Sequence, residues 1–376
     1  MQDYIIKTVN NINIEEELTQ IGFDREYISA ASDKYKYKNI KIYTLSPAQA
    51  NILKQTALSV GADCATHRDV ITGKIEKSDV MLGGSISQLK KICEKLKNQP
   101  FKLSKLSIEL ENILNNTQKH LTKIAGVLNI TPDSFSDGGK YFEPIQAQKH
   151  LMTLIEDGAD IVDIGAESTR PYSEEVSPEE QIKRLTPILD FIQKENIQIP
   201  ISIDTRSSVV ADFALNNSAS IINDVSGFEY DKKLAEVVSK YNASVIIQHS
   251  KGNPQNMQNS PTYTNVVEEI FLNLKNKAEY ADSLGIKHII IDPGIGFGKT
   301  ASDNFEILNR IEEFKTLNLP IMVGISRKSL LGIKYDNNDL KDSLSLALSY
   351  PLIQKNIDYL RVHNVKLHKA LINLET

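Results

Sequence analysis

The strongest constraint in this sequence is a rhythm. From about Ile124 onward, short Ile/Val-rich runs alternate with stretches of helical periodicity. The runs are IAGVLNI (124–130), IVDIG (161–165), PISIDT (200–205), IINDVS (221–226), SVIIQHS (244–250), HIIIDPG (288–294), PIMVGIS (320–326) and YLRVHN (359–364), eight in all. Unbroken apolar runs of this length suit strands buried on both faces, as in parallel sheets. The segments between them carry helix signals. Pro178 followed by Glu179 and Glu180 suits a first helical turn, and VVEEIFLNLKNKAEYADSLG closes on Gly285. Eight strand–helix units over about 250 residues predict a (β/α)8 TIM barrel. A doubly wound open sheet would carry fewer strands and a nucleotide fingerprint after the first, and neither is present.

Residues 1–118 do not share the rhythm. They read as a smaller mixed α/β domain preceding a barrel at 119–376. Strands are expected near YIIKTV, NIKIYTLS and SDVMLGG, and helices at PAQANILKQTALSVGA, ISQLKKICEKLK and LSIELENILNNTQKH. Charge follows the same division. The chain carries 43 Lys+Arg and 48 Asp+Glu; residues 1–120 hold 17 and 14 of these, a balance of +3, which leaves 26 and 34, or −8, for the remainder. This balance argues against nucleic-acid binding, which favours a basic face. No apolar run reaches the ~18 residues of a membrane span, and the N-terminus lacks the pattern of a signal peptide. Two cysteines, Cys64 and Cys93, make neither a disulfide framework nor a zinc site and read as buried thiols. A cytoplasmic location is the expectation.

In such a barrel the reacting groups sit at the C-terminal ends of the strands. Those ends carry Asn129, then Glu167 to Arg170, Asp204, Asn223 with Asp224, His249, Asp292, Ser326 to Ser329, and Arg361 with His363. A capping role explains any one of these positions, but strains to explain all eight strand ends together. Asp204, Asn223, Asp292 and Lys328 combine donors and acceptors suited to a flat heterocycle. Arg361 and His363, two residues apart, share a strand face and suit a phosphate-like anion. The region has no cysteine, so thiol catalysis is excluded. DPGIGFGKT fails both phosphate-loop patterns because Pro293 replaces the first glycine and the glycines run G-x-G-x-G. His249 reads as a satisfied rim histidine; His67, His120, His150, His288 and His368 read as structural or surface. Two long loops, TPDSFSDGGKYF (131–142) and AESTRPYSEEVSPEE (166–180), read as lids.

These residues carry a resemblance. GVLNITPDSFSDGG, DIGAESTRP, ISIDT, IINDVSG, DPGIGFGK, VGISRKS and LRVH resemble, in order and spacing, the signatures of the dihydropteroate synthase family over about 124–376. The resemblance implies a transferase of folate synthesis and a sulfonamide target. It joins 4-aminobenzoate to 6-hydroxymethyl-7,8-dihydropterin pyrophosphate through a pterin methylene cation, giving 7,8-dihydropteroate and pyrophosphate. It implies that Asn129 binds Mg2+, and that Thr169, Asp204, Asn223, Asp292 and Lys328 hold the pterin. Arg361 and His363 bind pyrophosphate. Phe135, Asp137, Arg170, Pro171 and Ser329 serve the loops and 4-aminobenzoate. Asp204, Lys328, Arg361 and His363 are the catalytic set. A homodimer is implied as well. The sequence departs from the family at Gln248 and Ser250, where Met is usual, making the pterin wall more polar.

The alternative is a methyl-folate-binding methyltransferase module serving a corrinoid partner. It shares the pterin-reading groups but has no need of Asn129, SRKS or the Arg361/His363 pair. A silent scaffold barrel is a third class, disfavoured by the intact set. The N-terminal domain reads as a packing or assembly element, or as a regulator site with an anion-binding helix start after MLGGS.

Overall fold

The computed structural model describes residue 4 and residues 6–115, 120–131, 144–167, 175–252, 261–328 and 337–374. The chain divides into two compact units, Met1–Gln118 and Lys119–Thr376.

The first unit is built on a three-stranded antiparallel sheet of β1 (Tyr37–Leu45), β2 (Asp63–Thr66) and β3 (Ser78–Ser85), in the order β1-β3-β2. Helices α1 (Ile14–Gln20) and α2 (Ile28–Ser32) precede the sheet. Helices α3 (Pro47–Leu58), α4 (Ile86–Leu96) and α5 (Leu103–Asn115) supply its core through Leu53, Leu89, Ile92, Leu96, Leu103 and Leu110, all buried. Cys64 and Cys93 lie in this core as free thiols, which burial pushes up to about 11. Two expectations are corrected here. The described residues of YIIKTV form no strand: Tyr4 and Ile6 are exposed and none of them pairs with a neighbour. DCAT, too short and polar to register as an apolar run, supplies the edge strand β2 instead. At the start of α4, Ser85 and Gln88 cap each other reciprocally, so donors that an anion would need are already satisfied.

The second unit holds all eight predicted strands: β4 (Lys123–Asn129), β5 (Ile161–Gly165), β6 (Ile201–Asp204), β7 (Ile221–Asp224), β8 (Ser244–Gln248), β9 (Ile289–Asp292), β10 (Met322–Val323) and β11 (Tyr359–Val362). They are parallel, in the order β10-β11-β4-β5-β6-β7-β8-β9. A bridge between Ile291 and Ile321, with the Ile291 N–H donating to Pro320 O at 2.9 Å, nearly closes the barrel. Among the described residues, eight helices cover the outside: α6 (Pro144–Glu156), α7 (Pro178–Lys194), α8 (Ser208–Leu215), α9 (Lys233–Lys240), α10 (Val266–Ser283), α11 (Ala301–Asn309), α12 (Asn338–Gln354) and α13 (Val365–Asn373). Pro178 opens α7 behind the Ser177 cap, as its sequence predicts.

Strand alternation sets what the barrel encloses. Ala125, Ile161, Ile221, Ile246, Ile290 and Met322 form an apolar plug inside it. Outward neighbours such as Ile124, Val162, Ile222, Val245, Ile291 and Val323 pack under the helices. Two residues beyond the plug, the same inward alternation delivers Asp163, Asn223, Gln248 and Asp292 toward the C-terminal rim. Asp204 is in register with both Gly165 and Asn223.

Candidate active site

Three carboxylates and one guanidinium organise the rim. Arg361 lies at the end of β11. Its Nε donates to Asp163 Oδ2 at 2.6 Å and its Nη2 to Asp204 Oδ2 at 2.9 Å. Asn223 Nδ2 donates to the same Asp163 oxygen at 3.0 Å. Across the rim, Asp292 Oδ1 accepts the Gly294 N–H at 2.6 Å. Lys328 Nζ donates to Ile295 O at 2.6 Å and sits 4.6 Å from the centre of the Phe297 ring. Asp163, Asp204, Asn223 and Asp292 are all buried.

Burial dominates the electrostatics. It pushes Asp204 up to about 7: Arg361 pulls the carboxyl back down, while Asp163 adds like-charge repulsion. Asp292 is likewise raised by burial, against the pull of Lys328. Burial lowers Lys328 to about 8 despite Asp292. For Arg361 burial works downward too, but Asp163 and Asp204 more than offset it and the guanidinium is held charged. Two oxygens, Asp163 Oδ1 and Asp204 Oδ1, are buried with no donor among the described residues. Unmet buried acceptors are costly, and here they point to a ligand with N–H groups.

The turn after β9 positions Lys328. Gly294 has φ +69°, and a Cβ there would stand 1.8 Å from His249 O, so only glycine allows the approach. Lys299 locks the turn from beneath. Its buried Nζ donates to Gly294 O at 2.8 Å, Phe297 O at 3.0 Å and His249 O at 3.2 Å, and meets His249 Nδ1 at 3.0 Å. Burial and the Lys299 charge push the His249 imidazole down to about 2, so it stays neutral and hydrogen-bonded, as a satisfied rim histidine should. In the turn after β10, Arg327 adopts φ +58° and pairs with Asp342 through Nε and Nη2 at 2.7 and 2.8 Å. That pairing fixes the turn carrying Lys328. His363 donates its backbone N–H to Ser326 Oγ at 3.2 Å, and its Nδ1 lies 3.1 Å from the same oxygen.

Of the residues singled out in sequence, Asn129, Asp204, Asn223, Asp292, Lys328, Arg361 and His363 lie at or just beyond the C-terminal strand ends. Arg361 and His363 do not form an isolated cation pair: Arg361 is shared with the carboxylates, and His363 is tied to Ser326. Phe135, Asp137, Thr169, Arg170, Pro171 and Ser329 lie outside the described residues. Glu167, at the described start of the second loop, accepts from the Val176 N–H and from Arg206, both at 3.1 Å. Sequence reasoning missed Asp163 and Lys299. A charged residue inside the run IVDIG was the available signal, because a buried carboxylate demands partners. In sequence Lys299 reads only as part of a glycine turn.

For a metal, Asn129 offers a half-buried carboxamide oxygen at the rim, 3.3 Å from where a Cβ on Gly165 would stand. No group of three or more His, Cys, Asp or Glu among the described residues forms a metal cage. A single hard oxygen suits Mg2+, which commonly completes its shell with phosphate and water.

An inward-facing rim of this kind on a (β/α)8 barrel defines an enzyme that binds a polar heterocycle. The pterin-binding enzyme family model matches residues 125–363. The dihydropteroate synthase of Clostridium beijerinckii is 43% identical over 249 residues, covering 65% of this chain and 89% of that one. A Helicobacter pylori protein, named bifunctional dihydropteroate synthase/dihydropteroate reductase, is 33% identical over 378 residues, 98% of each chain. The dihydropteroate synthase of Clostridium difficile, solved in the presence of pteroic acid, is 37% identical with a TM-score of 0.63, covering 69% of this chain and 97% of that one. The chain belongs to the pterin-binding enzyme family, in the branch of the dihydropteroate synthases.

Proposed function

We propose that the barrel is a dihydropteroate synthase, condensing 6-hydroxymethyl-7,8-dihydropterin pyrophosphate with 4-aminobenzoate. The observation that carries this reading is the buried rim of Asp163, Asp204, Asn223, Asp292, Lys328 and Arg361. The unmet acceptors of Asp163 and Asp204 suit the N–H edge of an aminopyrimidine ring. Lys328 Nζ, above Phe297 and bonded to Ile295 O, has further N–H groups that would serve ring acceptors.

In the reaction the bond between the pterin methylene carbon and the pyrophosphate oxygen breaks, and the neutral amine of 4-aminobenzoate forms the new C–N bond. The amine then releases one proton to solvent. In this reading Asp163 and Asp204, bonded to ring N–H groups, offset the positive charge that spreads over the conjugated pterin as the bond breaks. Their charges are preorganised, so little reorganisation is needed as the bond breaks. Arg361 Nη1, without a partner among the described residues, and His363 face the departing anion. Asn129 would hold Mg2+, which when bound neutralises pyrophosphate charge. Thr169 belongs to the pterin side of this reading, and Phe135, Asp137, Arg170, Pro171 and Ser329 to the 4-aminobenzoate side, which makes the protein a candidate sulfonamide target. A homodimer in the cytoplasm belongs to the same proposal. No described helix is long and apolar enough to cross a membrane. No observation favours the corrinoid methyltransferase alternative. Asp292→Ala and Lys328→Ala should each weaken pterin pyrophosphate binding by about tenfold or more; near-native affinity in both would refute the pocket.

A second activity has one observation behind it. The C. beijerinckii relative covers 65% of this chain and is named as a synthase alone, whereas the H. pylori relative covers 98% and its name adds a dihydropteroate reductase. We infer, on the name of that one relative, that the full chain supports reduction of the barrel's product. A hydride from a reduced nicotinamide or flavin would add to C6 and a proton to N5 of 7,8-dihydropteroate. Incubating the full chain with dihydropteroate and each donor tests this; no donor oxidation with either class would overturn it.

A further inference from the structure

Among the described residues the rim holds one fully buried side-chain donor without a partner, Gln248 Nε2, to set against its unmet acceptors. Gln248 closes β8 in register with Asp292 and shares the inward face with Ile246 of the plug. The residue is 4% exposed, and its Nε2 has no hydrogen-bond partner among the described residues. Gln248 Cγ lies 3.2 Å from where a Cβ on Gly294 would stand, so the side chain runs beside the turn that carries the Asp292 contact. A buried amide N–H left unpaired carries a desolvation penalty with nothing returned, and such groups in a site mark a missing ligand atom. Packing alone gives no reason for the amide, since a thioether or isobutyl group would fill the same volume without an orphaned donor.

We propose that Gln248 is a specificity-determining residue, donating from Nε2 to a ring acceptor of the bound pterin while Asp163 and Asp204 accept from its N–H edge. This rests on the synthase reading of the barrel. It predicts a pocket that demands both a donor edge and an acceptor on the same heterocycle.

The test compares wild type with Gln248→Met and Gln248→Leu. Calorimetric Kd for 6-hydroxymethyl-7,8-dihydropterin pyrophosphate, steady-state KM for both substrates and the unfolding temperature are measured on the full chain. The expected result is a pterin Kd and KM about three- to tenfold higher in both variants, an unchanged KM for 4-aminobenzoate, and an unfolding temperature equal to or above wild type. Pterin Kd values within twofold of wild type would overturn the assignment. So would a parallel rise in both KM values with a lowered unfolding temperature, which is the mark of a packing role. Binding is read without turnover, so an inactive wild type would count against the synthase reading alone, and the Kd comparison would still decide the role of Gln248.

Discussion

Replacing Asp204 with asparagine should stabilise the protein while damaging the enzyme, and the gain should grow with pH. Asp204 is buried, and its carboxyl is raised from an ordinary 3.8 to about 7. A folded-state value above the unfolded one means that the folded protein keeps the proton longer. The contribution of this group to stability is therefore greatest below pH 3.8 and is lost as pH rises through about 7. At pH 8 the ionised carboxylate costs the fold on the order of 4 kcal/mol relative to its neutral form; at pH 5 the figure is on the order of 2 kcal/mol or less. The asparagine side chain resembles the neutral form of the acid, and its amide oxygen can still accept from Arg361 Nη2. Urea unfolding of wild type and Asp204→Asn at both pH values, followed on the transition of the barrel, reads the difference. The barrel midpoint should rise in the variant, by about two to three times more free energy at pH 8 than at pH 5. Turnover should fall by about tenfold or more, since the charge that faces the developing cation is gone. A gain independent of pH, or a variant less stable than wild type at pH 8, would refute the reasoning.

Three further outcomes follow from the same geometry. The pH profile of kcat/KM should be bell-shaped, with an acid limb near 7 where Asp204 gains its proton and a basic limb near 8 where Lys328 loses its own; Asp204→Asn should abolish the acid limb only. Lys299→Met should cost about 3 kcal/mol or more in urea unfolding, because it strands the carbonyls of His249, Gly294 and Phe297 and the His249 ring nitrogen. Asn129→Ala should raise the Mg2+ concentration for half-maximal turnover without moving the unfolding midpoint; an unchanged Mg2+ dependence would remove Asn129 from the metal site.

The barrel was legible because each strand is a continuous apolar run, and burial on both faces leaves few other folds for such runs. The rim was legible for the residues that close those runs. Asp163 was hidden because it sits inside a run rather than at its end. The pairing of Arg361 with Asp163 and Asp204 was invisible because it joins residues 198 and 157 positions apart. Only closure of the barrel brings them together. Lys299 escaped because its partners are backbone carbonyls, which leave no mark in sequence. In the N-terminal unit the apolar segment YIIKTV misled, since a strand needs a neighbour as well as a pattern. DCAT leaves little signal because an edge strand buries little: of its four residues only Cys64 is buried.

The most direct test of the account is turnover by the full chain supplied with 6-hydroxymethyl-7,8-dihydropterin pyrophosphate, 4-aminobenzoate and Mg2+. The account predicts 7,8-dihydropteroate and pyrophosphate in equal amounts, with formation abolished by chelation. Folded protein that forms no dihydropteroate under these conditions would contradict it.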